Sequence, residues 1–196
     1  MLLVHDARRD PYARLLGIKM EKGQSDHCYT CNRADAKQDM QSRVYIETSI
    51  PSYLTARPSN DLRAMANQNT TIEWWENRKS QFDVFVSEFV IAECSLGDPK
   101  ASSRRIASIE GIPVLETTEE AKNLAGSLIA EDAIPNRAEI DAYHIAVATV
   151  NGMNYLLTWN CTHIANAVIR PRIEAVCRNR GYEPPTICTP QELMED

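Results

Sequence analysis

No apolar run in this 196-residue chain approaches the ~20 residues that a membrane-spanning helix needs, so no span is expected. No apolar stretch follows Asp6, Arg8, Arg9 and Asp10, which argues against a secretory signal and makes a cytoplasmic location the default expectation. A basic excess is also missing. The net charge is −6, so bulk electrostatics would repel nucleic acid, and a stoichiometric coating protein is disfavoured. The six cysteines, at positions 28, 31, 94, 161, 177 and 188, are scattered, and a domain of this size needs no disulfide framework. Cys94, Cys177 and Cys188 fall in apolar helix or strand patterns and read as reduced, buried thiols. Cys28-Tyr29-Thr30-Cys31, preceded by His27, has the spacing of half a structural zinc set, but no second CxxC lies nearby, and chance spacing or an exposed tail is the favoured reading.

What is present describes one ordinary globular domain. Hydrophobic residues make up 43% and charged residues 24%, and the length suffices for a substantial core. Residues 1–42 read as an N-terminal extension, irregular or disordered, without sustained periodicity. Met40, just before the first strand pattern, is a candidate start of the biological protein. The extension holds seven Lys/Arg and six Asp/Glu, so residues 43–196 carry a net charge of −7. A concentrated patch of carboxylates is what a metal site requires, and the acidity therefore leaves a nuclease open.

From Arg43 onward, strand and helix patterns alternate. Val44–Glu47 predicts a strand, and Ser49 is expected to cap a helix with Pro51 in its first turn. Further helices are expected over 61–79, 88–96, from 99 to 108, 118–132 with Thr118 as cap, 138–151 and 163–179. Strands are expected over 82–87, 112–115, 154–159 and 185–188. Gly152 and Gly181 mark helix ends. This order implies an α/β fold, a mostly parallel sheet flanked by helices. In such sheets the ligand site lies outside the carboxyl ends of the strands.

Polar groups punctuate those ends. Glu47 closes the first strand, Glu93 lies in the helix after the second, and Asn160 closes the strand that ends in Trp159. Asp141 is near the start of the helix feeding that strand. Taken singly, Asp141 is a dipole-stabilised helix start and Glu93 a solvated position. Apolar neighbours flank both, however, and carboxylates among core residues are costly unless paired or bound to a cation. A hard divalent ion is the natural remedy for several carboxylates in one cleft.

The strings Val44-Tyr45-Ile46-Glu47-Thr48-Ser49-Ile50-Pro51-Ser52-Tyr53-Leu54, Val90-Ile91-Ala92-Glu93, Asp141-Ala142-Tyr143-His144-Ile145-Ala146-Val147-Ala148 and Tyr155-Leu156-Leu157-Thr158-Trp159-Asn160 together resemble the four motifs of PIN-domain proteins. The similarity is to the VapC-type toxins of bacterial toxin–antitoxin pairs and spans about Arg43 to Leu193. It implies a PIN-like, Rossmann-like parallel sheet, Mg²⁺ or Mn²⁺, and endoribonuclease activity on RNA. It also implies an antitoxin partner and a homodimer. Carried over, Glu47, Glu93, Asp141 and Asn160 match the four catalytic positions, with Glu47, Asp141 and Glu93 as metal ligands. Two departures stand out: the first position is usually Asp and the fourth often Asp, whereas this chain has Glu47 and Asn160. They keep open the alternative of a catalytically weak or inactive PIN-like binding module.

On the expected mechanism Thr48 or Ser49 could donate to a phosphate oxygen, with helix capping as the competing role of Ser49. His144, three residues after Asp141, reads as a hydrogen-bonded core or interface histidine rather than a base. Arg170, Arg172, Arg178 and Arg180, and the earlier pair Arg104 and Arg105, form stripes that could steer an RNA backbone, although a solvated helix face is the commoner meaning.

Overall fold

The computed structural model describes residues 41–194. The expectations for the N-terminal extension, for Met40 as a start and for Cys28 and Cys31 lie outside those residues. Five strands, β1 (Ser42–Ile46), β2 (Phe82–Ser87), β3 (Val114–Leu115), β4 (Tyr155–Leu157) and β5 (Thr186–Cys188), form one sheet in the order β3-β2-β1-β4-β5. Every pairing is parallel, with Tyr45 of β1 opposite Phe85 of β2 and Leu156 of β4. Seven helices flank the sheet: α1 (Ser49–Thr55), α2 (Leu62–Asn77), α3 (Glu88–Cys94), α4 (Pro99–Ser108), α5 (Glu119–Ala130), α6 (Glu139–Val150) and α7 (Arg170–Asn179). None is long and apolar enough to cross a membrane.

Burial follows position in the sheet. The central strand β1 has paired neighbours on both edges, and Val44, Tyr45 and Ile46 are fully buried. Ile145 to Ala148 of α6 are likewise sealed, as an apolar helix inside a domain should be. Helix ends obey local chemistry. Asp61, Asp98 and Thr118 cap α2, α4 and α5 by accepting a backbone N–H in the first turn. Gly152, at φ 65°, closes α6: its N–H donates to the Thr149 carbonyl, and the Met153 N–H donates to that of Ala148. These are the two bonds of a Schellman motif, which needs a left-handed residue at that position.

Two local expectations are corrected. The helix expected over 163–179 begins only at Arg170, and turns occupy 161–169. Pro171 is the reason. In a helix interior it would remove a hydrogen bond and clash with the preceding turn, whereas in the first turn it costs nothing. Ser49 does not cap α1 either. Thr48 occupies the cap position and Ser49 is the first helical residue, its hydroxyl committed elsewhere.

The chain runs from β1 out to β2 and β3, then crosses back to β4 on the other side of β1. The crevice beyond the carboxyl ends of β1 and β4 is thus the topological switch point, where open α/β sheets place their ligands.

Candidate metal centre

Glu47 is the residue immediately after β1, its backbone N–H held by the Leu157 carbonyl of β4. It is only 5% exposed. Three donors converge on one oxygen, Oε2: the Ser49 hydroxyl, the Thr158 hydroxyl at 2.6 Å and the Ser49 N–H at 3.0 Å. Thr158 stands just beyond β4, so the switch-point strands jointly grip this carboxylate. The Ser49 hydroxyl in turn accepts the Trp159 N–H at 2.7 Å, and the Thr158 hydroxyl accepts that of Asn160 at 2.9 Å.

Glu93 approaches from α3. It is not sealed in the core as its apolar sequence neighbours suggest: its side chain is about a third exposed, because Ile91 and Ala92 lie on the outer face of α3. Its Oε2 accepts the Thr48 hydroxyl and lies 2.9 Å from His144 Nε2. Burial pushes the Glu93 carboxyl up, but the bonds from His144 and Thr48 and the charge interaction with His144 outweigh it. The net effect lies below the usual carboxylate range, so Glu93 is ionised near neutral pH.

His144, fully buried, belongs to a chain of hydrogen bonds that starts at Glu93 and runs inward to Tyr45 and Ser87. An ionised Glu93 can only accept, so Nε2 carries a proton and donates to it. Nδ1 and Tyr45 Oη, 2.7 Å apart, share the next hydrogen bond. Tyr45 Oη in turn shares a hydrogen bond of 2.6 Å with Ser87 Oγ. Burial, together with the charges of Glu47 and Glu93, drives the Tyr45 phenol well above its ordinary value, keeping it a proton-bearing donor. His144 is therefore a hydrogen-bonded core residue that orients Glu93.

One carboxylate oxygen each from Glu47 and Glu93 and one His144 nitrogen lie within 4.8 Å of one another, a set that could hold a metal ion. Among the described residues, neither acid has a Lys or Arg partner in an ion pair. Each offers one oxygen fixed by hydrogen bonds and a second that receives none among the described residues. The donor set fits a hard divalent cation, with Glu47 and Glu93 as the oxygen donors. His144 fits less well as a ligand while its Nε2 proton is spent on Glu93.

Asp141 and Asn160 form a neighbouring pair. Asp141, in the first turn of α6, accepts the Asn160 side-chain N–H at 3.0 Å on Oδ1 and lies 2.9 Å from His163 Nδ1 through Oδ2. Asn160 also accepts the His163 N–H and, through its carbonyl, those of Ile164 and Ala165. It organises the turn after β4, and an Asp there would set a second negative charge against Asp141. The residues from the sequence thus come together as two sets, Glu47 with Glu93 and Asp141 with Asn160. Sequence reasoning missed Tyr45, Ser87 and Thr158, and it missed the His163 partnership with Asp141. Thr48 and Ser49, considered as phosphate donors, instead spend their hydroxyl protons on the two glutamates.

Among solved structures the chain is similar to VapC20 of Mycobacterium tuberculosis, described as a Sarcin-Ricin loop cleaving toxin. The TM-score is 0.48 at 16% sequence identity, covering 63% of this chain and 95% of that one. It is also similar to VapBC2 of Rickettsia felis bound to a DNA fragment from its promoter, with a TM-score of 0.45 and 13% identity over 75% of this chain and 98% of that one. No family model and no curated protein matches the sequence. At these identities the likeness concerns the fold.

Proposed function

We propose that this protein is a metal-dependent endoribonuclease that hydrolyses RNA phosphodiester bonds at the switch point of its sheet. The observation that carries the reading is the pair Glu47 and Glu93, two adjacent acids with no Lys or Arg partner among the described residues and one oxygen each outside the hydrogen bonds that hold them. Removing charges from water without compensation is costly, and a divalent ion supplies that compensation. Glu47, Glu93 and, from the first turn of α6, Asp141 would hold Mg²⁺ or Mn²⁺. Such an ion lowers the pKa of bound water and neutralises charge developing on a phosphoryl group.

The chain's own residues supply the rest. Ser49 and Thr158 hold Glu47, and the Ser87-Tyr45-His144 chain holds Glu93, so both carboxylates are placed before any ligand arrives. Asn160 and His163 orient Asp141 from the turn after β4. The added methylene of Glu47 is accommodated by bonds that return its carboxylate toward α1 and β4. The neutral Asn160 serves as a donor to Asp141, which an Asp could not do. Both departures from the usual PIN pattern therefore have structural roles compatible with a working site. The resemblance to toxin–antitoxin proteins makes an antitoxin the expected protein partner and a homodimer the expected assembly.

The test is cleavage of a mixed structured RNA by the full chain with Mn²⁺, with EDTA, and as Asp141→Asn. The expected result is cleavage that needs both the metal and Asp141. Folded Asp141→Asn protein that cuts as well as wild type would refute the assignment. A folded wild type that binds RNA and never cuts would turn the reading to an inactive binding module.

A further inference from the structure

The arginine stripes noticed in the sequence meet opposite fates. On and after α7, Arg178 pairs with Glu174 and Glu183, and Arg180 pairs with Glu131. Arg172 donates to the Asp132 carbonyl. That face is largely neutralised, a solvated helix surface. The other pair, Arg104 and Arg105, lies on α4 in a groove of about 760 Å³ between α4 and α1. Arg57 and Lys100 line the same groove, with Ser52 and Thr55 as its floor on α1. None of the four cations has an ion pair with a carboxylate among the described residues, and the acid lining the groove is Asp98, whose side chain caps α4.

The helix α1, which lines one side of the groove, begins two residues after Glu47, and α4, which lines the other, is bonded to the end of α3 that carries Glu93. α1 begins at Ser49, bonded to Glu47, and ends at Thr55, whose carbonyl accepts Arg104 Nε at 3.1 Å. Seven helical residues put these ends about 9 Å apart. Arg105 Nε donates to the carbonyl of Cys94, the residue after Glu93.

We infer that the α1–α4 groove is a track for the sugar-phosphate backbone of a single-stranded RNA, leading into the acid cluster, with Arg57, Lys100 and Arg104 as its phosphate-binding cations. A strand entering a cluster of acids without Lys or Arg partners is repelled unless its phosphates are neutralised nearby, and these are exposed cations free of carboxylate partners among the described residues. Arg105 is tied to the carbonyls of Cys94 and Leu96 and joins α3 to α4. The inference rests on the nuclease reading for its ligand, and its test is separate from cleavage.

That test is fluorescence anisotropy of a labelled single-stranded RNA oligonucleotide with the full chain in EDTA, where no cutting occurs, over a series of salt concentrations. The triple variant Arg57→Gln/Lys100→Gln/Arg104→Gln should bind at least ~10-fold more weakly. Its salt slope should be shallower by about 2, because each phosphate neutralised on a single strand adds about 0.7 to the slope. The α7 variant Arg178→Gln/Arg180→Gln should bind like wild type. Circular dichroism and urea midpoints matching wild type establish that the variants are folded. Equal affinity and slope in the triple variant would overturn the track, as would a wild type that does not bind the RNA. A polyglutamate peptide that binds more tightly than the RNA would also overturn it, assigning the groove to an acidic protein segment. Cleavage with an unaltered triple variant leaves the nuclease standing without the track, whereas groove-dependent binding without cleavage leaves the track without the nuclease.

Discussion

Tyr45→Phe is the most informative single change, because it deletes one oxygen from a sealed hydrogen-bond chain and leaves packing almost untouched. Tyr45, Ser87 and His144 are all fully buried, so water cannot replace the lost partner. Two groups are orphaned: Ser87 Oγ, 2.6 Å from the phenol oxygen, and His144 Nδ1, 2.7 Å from it. A buried polar group left without a partner costs about 1–3 kcal/mol, so with two orphans the variant should lose about 2–6 kcal/mol. Against a typical total of ~5–15 kcal/mol that is a large loss. Urea unfolding followed by circular dichroism should show a lower midpoint with an unchanged slope. Adding Ser87→Ala removes one orphan, so the double variant should cost less than the sum of the singles by about 1 kcal/mol. A Tyr45→Phe loss under about 0.5 kcal/mol, or single effects that add within ~0.3 kcal/mol, would refute the hydrogen-bond chain.

Further outcomes follow from the same geometry. Because Glu93 titrates below its ordinary range, its ionised form stabilises the fold at neutral pH, and that contribution is lost as pH falls through the depressed value. The urea midpoints of wild type and Glu93→Gln should therefore differ most near pH 7 and converge below about pH 4.3, and a constant gap would contradict the assignment. Asn160→Asp replaces the donor to Asp141 with a like charge, so its midpoint at pH 7 should fall; an unchanged midpoint would show that this amide is not holding Asp141. Brief iodoacetamide labelling read by peptide mass mapping should modify exposed Cys161 and spare Cys94, Cys177 and Cys188, whose thiols burial pushes up to about 11, 11 and 12. Equal labelling of all four in native protein would mean that the core opens on that timescale.

The alternation of elements was legible because its signals are local. Thr118 caps α5, Gly152 and Gly181 end α6 and α7, and the apolar runs of β1 and β2 name buried parallel strands. Pro171 was a local signal too, and it outranks the apolar periodicity that made 163–179 look like one helix. Sequence also located Glu47, Glu93, Asp141 and Asn160 near strand ends. Ser49 shows where local reading stops. Its position suits a cap, yet its hydroxyl serves Glu47 two residues back and Trp159, 110 residues away.

What the sequence determined by itself is the set of elements and the type of sheet, since periodicity, capping and breakers act within a few residues. Only the tertiary structure decided which groups meet. Asp141 and His144 are one turn apart on α6, and one faces the turn after β4 while the other turns inward to Tyr45 and Glu93. Equally, the paired arginines near α7 and the unpaired ones on α4 look alike in a string of letters. The strand order brings Tyr45, Ser87 and His144 together across 42 and 99 residues of chain. No short-range pattern encodes such partnerships, because they arise when the sheet closes and buried polar groups must find one another.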